Sequence, residues 1–278
     1  MPEPPRFRVG NQTALSAQPL SAPFEFALAH GFDAFEWFPD RGLEGSGWSA
    51  LDLSARDRWR IRSLARAHDI SSSLHASLGC TPWDRVPNRA LQDDLQLARD
   101  IGAALVVLHL DLSRGAAAFL GAIVPVAEHL AARGISLALE NTVQATPQDF
   151  NRFFALLGHE AAGLTDRVGM CFDIGHANLC SATQNDYLAF LDQLAPQVPI
   201  IHVHLHENYG DADTHLTLFS GPAKEDTRGV LGLLARLGRR GFSGCMILEQ
   251  WPQPPALLVD ARARLMSLAG SHGARSPA

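Results

Sequence analysis

The sequence predicts an α/β chain closed into a single-domain (β/α)8 TIM barrel. Three observations carry that reading. Eight short apolar strands alternate with helical segments, and no break in composition separates them. Within the strands, small or modest residues take one face and bulky ones the other, as suits a barrel interior sheathed in helices. The inward face of strand after strand ends in Glu, Asp or His. A length of 278 residues would suggest two domains, but barrels reach this size as one. The barrel is expected over residues 1–270, followed by a disordered tail over 271–278.

The elements follow in order. A first strand at about Arg6–Asn11 leads to a helix from Pro23 to His30. The second strand, Asp33–Phe38, is followed by a glycine-rich loop (Gly42, Gly45, Gly47, Trp48) and a helix over Ala55–His68. The third strand is Ile70–Ala76 with a helix over Asn88–Ile101, and the fourth is Ala104–Leu110 with a helix over Ala116–Arg133 that Pro125 should kink. The fifth strand, Ser136–Asn141, precedes a helix capped by Thr146 with Pro147 at its first position. The sixth, Val168–Asp173, precedes a helix from Asn185 to Leu194.

The seventh strand, in the stretch Ile200–Asn208, is the most telling. Apolar Ile201, Val203 and Leu205 alternate with His202, His204 and His206, which is the period of a strand with three imidazoles on one face. A long loop to Lys224 and a helix ending near Gly238 follow. The eighth strand is Gly244–Glu249, and Pro254–Leu268 forms the last helix.

Active sites of such barrels lie at the carboxyl ends of the strands. The inward residues there are Glu36, His75, His109, Glu140, Asp173, His204 and Glu249, with His176 one turn past Asp173. Each alone has an ordinary role: Glu36 is expected to pair with Arg8, Asp173 could cap a turn, Glu249 could meet a loop arginine. Together, buried carboxylates repel and are costly to desolvate unless a cation joins them. Glu140, Asp173, His204 and Glu249, from four consecutive strands, are therefore expected to bind one divalent metal. Mixed imidazole and carboxylate donors suit Mn, Zn or Co better than Ca.

Other classes are disfavoured. Net charge is −6 with no Lys/Arg run, so nucleic acid is not an expected partner. No apolar run is long enough to cross a bilayer. The start, Met1-Pro2-Glu3-Pro4-Pro5, lacks the regions of a signal peptide. Cys80, Cys171, Cys180 and Cys245 form no CxxC pair, with Cys171 and Cys245 on inward faces; reduced thiols in a cytoplasmic protein are expected. Trp83 and Trp251 lie just past strand ends, where walls of a ligand pocket belong, as do Phe38 and Trp48; Trp37 has outward parity and should be core.

Leu139-Glu140-Asn141, Cys171-Phe172-Asp173-Ile174-Gly175-His176-Ala177, Val203-His204-Leu205-His206-Glu207 and Ile247-Leu248-Glu249 together resemble the xylose isomerase-like TIM-barrel superfamily over nearly the whole chain. That group holds sugar isomerases and epimerases, inosose-processing enzymes and endonuclease IV. The resemblance implies that the quartet binds one metal and that His176 contacts substrate or a further metal. It implies a sugar, sugar-phosphate or polyol isomerase or epimerase working through a metal-stabilised enediolate, with Glu140 and Glu249 exchanging the proton from opposite faces. A homo-oligomer is compatible with it. Under that reading His75, His109, Asp213 and His215 are expected to bind substrate or an additional metal, with His75, His109 and His215 giving hydrogen bonds to hydroxyls; the alternative the resemblance implies is a zinc phosphodiesterase of the endonuclease IV kind, whose extra ligands match His75, His109 and Asp213-Thr214-His215. Two departures stand out: Ser220-Gly221-Pro222 replaces a G-x-G, and the metal-facing acid after the seventh strand is Glu207, with His206 where many relatives carry Lys or Asn.

Overall fold

The computed structural model describes residues 7–14, 16–41, 47–83 and 89–273. Arg6, Gly42, Gly45, Asn88, the stretch Met1–Pro5 and residues 274–278 of the expected tail lie outside the described residues. Strands β1 (Arg8–Gln12), β2 (Ala34–Trp37), β3 (Ser71–His75), β4 (Leu105–His109), β5 (Ser136–Glu140), β6 (Val168–Asp173), β7 (Ile200–Leu205) and β8 (Cys245–Leu248) pair in parallel and in sequence order, and β8 returns to β1. The barrel is closed, as the strand–helix alternation predicts.

Helices α1 (Ala22–Ala29), α2 (Ala55–Ala67), α3 (Arg89–Ile101), α4 (Ala116–Ala131) and α5 (Pro147–Glu160) sheathe the first five strands. Thr146 caps α5 as expected: its side chain accepts from Asp149 N, and Asp149 returns the bond. The segment after β6 holds two helices rather than one, α6 (Ile174–Leu179) and α7 (Tyr187–Gln193). The cause is local. Asp173 accepts from His176 N at 2.7 Å and starts a helix at once, and Asp186 caps the second through Ala189 N. Helices α8 (Arg228–Arg239) and α9 (Ala256–Gly273) complete the ring. No described helix is long and apolar enough to cross a membrane.

The main core lies between sheet and helices, where Phe24, Phe35, Trp37, Phe150 and Phe172 are wholly buried. Inside the barrel, residues are small where strands approach: a Cβ on Gly10 would overlap the Ala34 carbonyl. A plug of Val107, Ala138 and Cys171, with Leu105 and Ile201 against it, fills the lower interior. Strict alternation along β7 places Ile201 on the outer face, and the structure differs. The β6–β7 register shifts between Met170 and Cys171, so Met170 pairs with Ile200 but Cys171 pairs with His202. Ile201 is the extra residue of that bulge and turns inward, while His202 and His204 keep their inward aim. All four cysteines are free, Cys171 and Cys180 being buried.

Candidate metal centre

The four residues expected to share a metal do converge. Glu140, Asp173, His204 and Glu249 each offer a donor atom within 4.8 Å of the others. Around His204 Nδ1 lie Glu140 Oε1 at 3.3 Å, Glu249 Oε1 at 3.5 Å and Asp173 Oδ2 at 3.8 Å. All four side chains are buried, delivered by the ends of β5, β6, β7 and the residue after β8.

Glu36 does not pair with Arg8. Gln12, not Arg8, sits in register with Glu36, so Arg8 lies four residues lower on β1, about 13 Å at 3.3 Å per residue. There it pairs with Asp69 at 3.1 Å. Glu36 instead accepts from Ser73 Oγ at 2.8 Å and from His202 Nε2 at 2.9 Å, and its other oxygen lies 2.9 Å from His204 Nε2.

Two further donor groups flank the quartet. His75 and His109 gather at the second oxygen of Glu140, at 2.8 and 3.5 Å. His176, Asp213 and His215 form the other, and the structure adds His206 to it. The sequence does not single out His206 as a donor, although its parity matches that of His202 and His204. Glu207 is not metal-facing: its two oxygens accept from Gly221 N at 2.9 Å and Ala223 N at 2.7 Å, pinning the Ser220–Pro222 turn.

A cavity of about 480 Å³ opens beside His75 and His109. Trp83 meets it through Asp111, a lining residue to which its Nε1 donates at 2.5 Å. Trp251 packs edge-on against Phe26, and Trp48, like Trp37, is buried in the core. Phe38 stands edge-on to His75 with ring centroids 4.6 Å apart.

The ion-free electrostatics are strained in opposite directions. Burial works to raise Glu140, but His204, His176 and His75 hold it well below the usual carboxylate range. Burial, with Asp173 and Glu140 adding like charge, lifts Glu249. Burial opposes charging of His176, yet Asp173, Asp213 and Glu140 push it up to about 12. At His109 burial, with like charge from His75, His176 and His204, outweighs the pull of Glu140, and the imidazole falls to about 4.

A divalent cation fits this donor set. His204 Nδ1 and Glu249 Oε2 are buried without a hydrogen-bond partner, a cost that coordination removes. Glu140, Asp173, His204 and Glu249 would hold it.

The sequence profile described as xylose isomerase-like TIM barrel matches residues 24–268. Among solved structures, a D-tagatose 3-epimerase-like protein superposes with a TM-score of 0.70 at 21% identity, covering 95% of this chain and 99% of that one. An L-ribulose 3-epimerase gives 0.68 at 17% identity, covering 97% of each chain. The TTHB071 protein of Thermus thermophilus, soaked with ZnCl2, gives 0.63 at 23% identity, covering 95% of this chain and 99% of that one. Likeness at these identities is likeness of fold.

Proposed function

The chain belongs to the xylose isomerase-like TIM barrel family, and on that footing we propose that it is a divalent-metal-dependent isomerase or epimerase of a small unphosphorylated carbohydrate. One observation carries the reading: Glu140 and Glu249 present oxygens 3.3 and 3.5 Å from the same atom, His204 Nδ1. Two carboxylates about a common point can serve a substrate carbon from two directions. Bound among the quartet, a divalent cation supplies Lewis-acid stabilisation of negative charge on substrate oxygens.

The residues divide the proton work. Glu140, held low, accepts the proton from the carbon beside the carbonyl; Glu249, raised by burial, returns one from the other side. In the reverse direction the roles exchange. The cavity beside them is lined by Ser77, Thr81, Asp111, Ser113, Thr142 and Gln144, groups that bond hydroxyls. Its lining includes no Lys or Arg among the described residues, and it includes Asp111 and Asp149, which would repel a phosphate. Likeness to a D-tagatose 3-epimerase-like protein and an L-ribulose 3-epimerase supports the same substrate class.

The test is hydrogen exchange in D2O with a panel of unphosphorylated ketoses. Deuterium should enter at the carbon next to the carbonyl, stop on chelation, and resume with Mn, Zn or Co. Exchange that continues unchanged in metal-stripped protein would refute the reading.

A second reading, multi-metal phosphodiester hydrolysis, is favoured by the two donor groups adjoining the quartet, one of them sharing Glu140. Net charge −6 opposes it, since duplex binding rests on neutralised phosphates. Chelator-sensitive nicking of abasic duplexes at low salt would put it first.

A further inference from the structure

We infer that the amino-terminal end of the barrel holds a second ligand site, a polar chamber beneath the plug of Val107, Ala138 and Cys171, and that this chamber takes a small uncharged polyol. The inference rests on the lining of the chamber and is independent of the reaction assigned to the quartet.

A barrel of this kind ordinarily fills its interior with Val, Ile and Leu. At the lower end of this one, several inward positions are short and polar instead: Ser71 and Ser73 on β3, Ser136 on β5 and Cys245 on β8. Leu105 and Ile201 fill only one side. The space left over is a cavity of about 460 Å³, with the exposed residues Asp166, Arg167 and Ser243 at its rim. That volume falls within the range of about 300–1,000 Å³ usual for small-molecule sites.

The roof is fixed in place. Ser73 Oγ and His202 Nε2 both donate to Glu36 Oε2, at 2.8 and 2.9 Å, so neither side chain is free to turn down and close the space. Ser136 and Ser243 also line the chamber, and their hydroxyls have no hydrogen-bond partner among the described residues. A hydroxyl both donates and accepts, which is what the hydroxyls of a polyol require of a wall.

Charge argues against an ionic ligand. Arg8 is held by Asp69 at 3.1 Å, and Arg167 shares the rim with Asp166. Burial raises the Cys245 thiol above its ordinary value, against a hydrogen bond from Ser71, and so keeps it protonated. No Phe, Tyr or Trp lines the chamber among the described residues, so there is no aromatic face for a sugar ring to stack on. Balanced charge, free hydroxyls and no such face favour an open-chain polyol.

Two cysteines report on the two cavities: Cys245 lines the lower chamber and Cys80 the cavity beside His75, while Cys171 and Cys180 are buried. The metal-stripped full chain is treated with methyl methanethiosulfonate over a range of sorbitol concentrations, and labelling of each cysteine is followed by peptide mass spectrometry. Sorbitol should slow labelling of Cys245 several-fold and saturably, and leave Cys80 at its starting rate. Ser136→Leu, which fills the chamber, should label slowly at Cys245 whether or not sorbitol is present. Arg167→Ala, at an exposed position, should fold as wild type does and need more sorbitol for the same protection. Equal slowing at both cysteines, protection of Cys80 alone, or an unchanged sorbitol dependence in Arg167→Ala would each overturn the inference. So would a wild-type Cys245 that does not label at all, since the chamber would then be closed.

Discussion

Glu36 Oε1 lies 2.9 Å from His204 Nε2, with neither side chain exposed. Glu36 cannot swing away, because Ser73 and His202 both donate to its other oxygen. The pairing turns the opposite ring nitrogen of His204, Nδ1, toward the quartet. Carboxylates that brace a ligating imidazole typically contribute about 10- to 100-fold in metal affinity. Glu36→Gln should therefore weaken metal retention by about that factor, measured by competition with a chromophoric chelator. Wild-type affinity in this variant would show that Glu36 only fills the barrel.

Asp173→Asn and Glu249→Gln should each lose the quartet metal while remaining folded. Asparagine caps a helix about as well as aspartate, so α6 should survive the first change. The second removes a buried charge crowded by Asp173 and Glu140. Elemental analysis gives the metal content and circular dichroism the fold. Full occupancy in either variant would remove that residue from the ligand set.

The same crowding sets a pH dependence in the ion-free chain. Burial first, then Asp173 and Glu140, raises Glu249 above its usual 4.5. Between the usual and the raised value the folded chain binds more protons than the unfolded one, so stability falls as pH rises through that window. Glu249→Gln should flatten this part of the profile. Thermal melts of chelated protein across the mildly acidic range are the measurement. A wild-type Tm that rises with pH there, in step with the variant, would contradict the assignment.

The strand ends were legible because period-two alternation survives in a barrel: Glu140, Asp173, His204 and Glu249 read inward and are found inward. Residues whose role depends on register or on loops were not. Ile201 reads as outward, but a bulge with no sequence mark of its own turns it into the interior. Arg8 and Glu36 both face the barrel axis, yet strand stagger puts them at different levels, and a sequence carries no stagger. Glu207 looks like a ligand by position, but the backbone amides of Gly221 and Ala223 occupy it. Asp213 and His215 are named by the family resemblance alone, since a loop carries no periodicity from which their approach to the site could be read.

The glutamates and the flanking histidines should separate by the size of their effects. Glu140 and Glu249 are the only carboxylates in the quartet with oxygens within 3.5 Å of His204 Nδ1. His75 and His109 border the cavity. Because burial lowers His109 to about 4, it is neutral near pH 7 and can serve a hydroxyl as a hydrogen-bond partner. Losing such a contact costs about 1–3 kcal/mol, roughly one to two orders of magnitude in rate. Losing a positioned acid–base group costs about 10²–10⁴-fold, and here the ligand role is lost with it. In the D2O assay, His109→Asn should thus retain slow exchange with any ketose that wild type labels, while Glu140→Gln and Glu249→Gln should fall far below it. Exchange at the wild-type rate in Glu140→Gln would show that this carboxylate does not carry the proton.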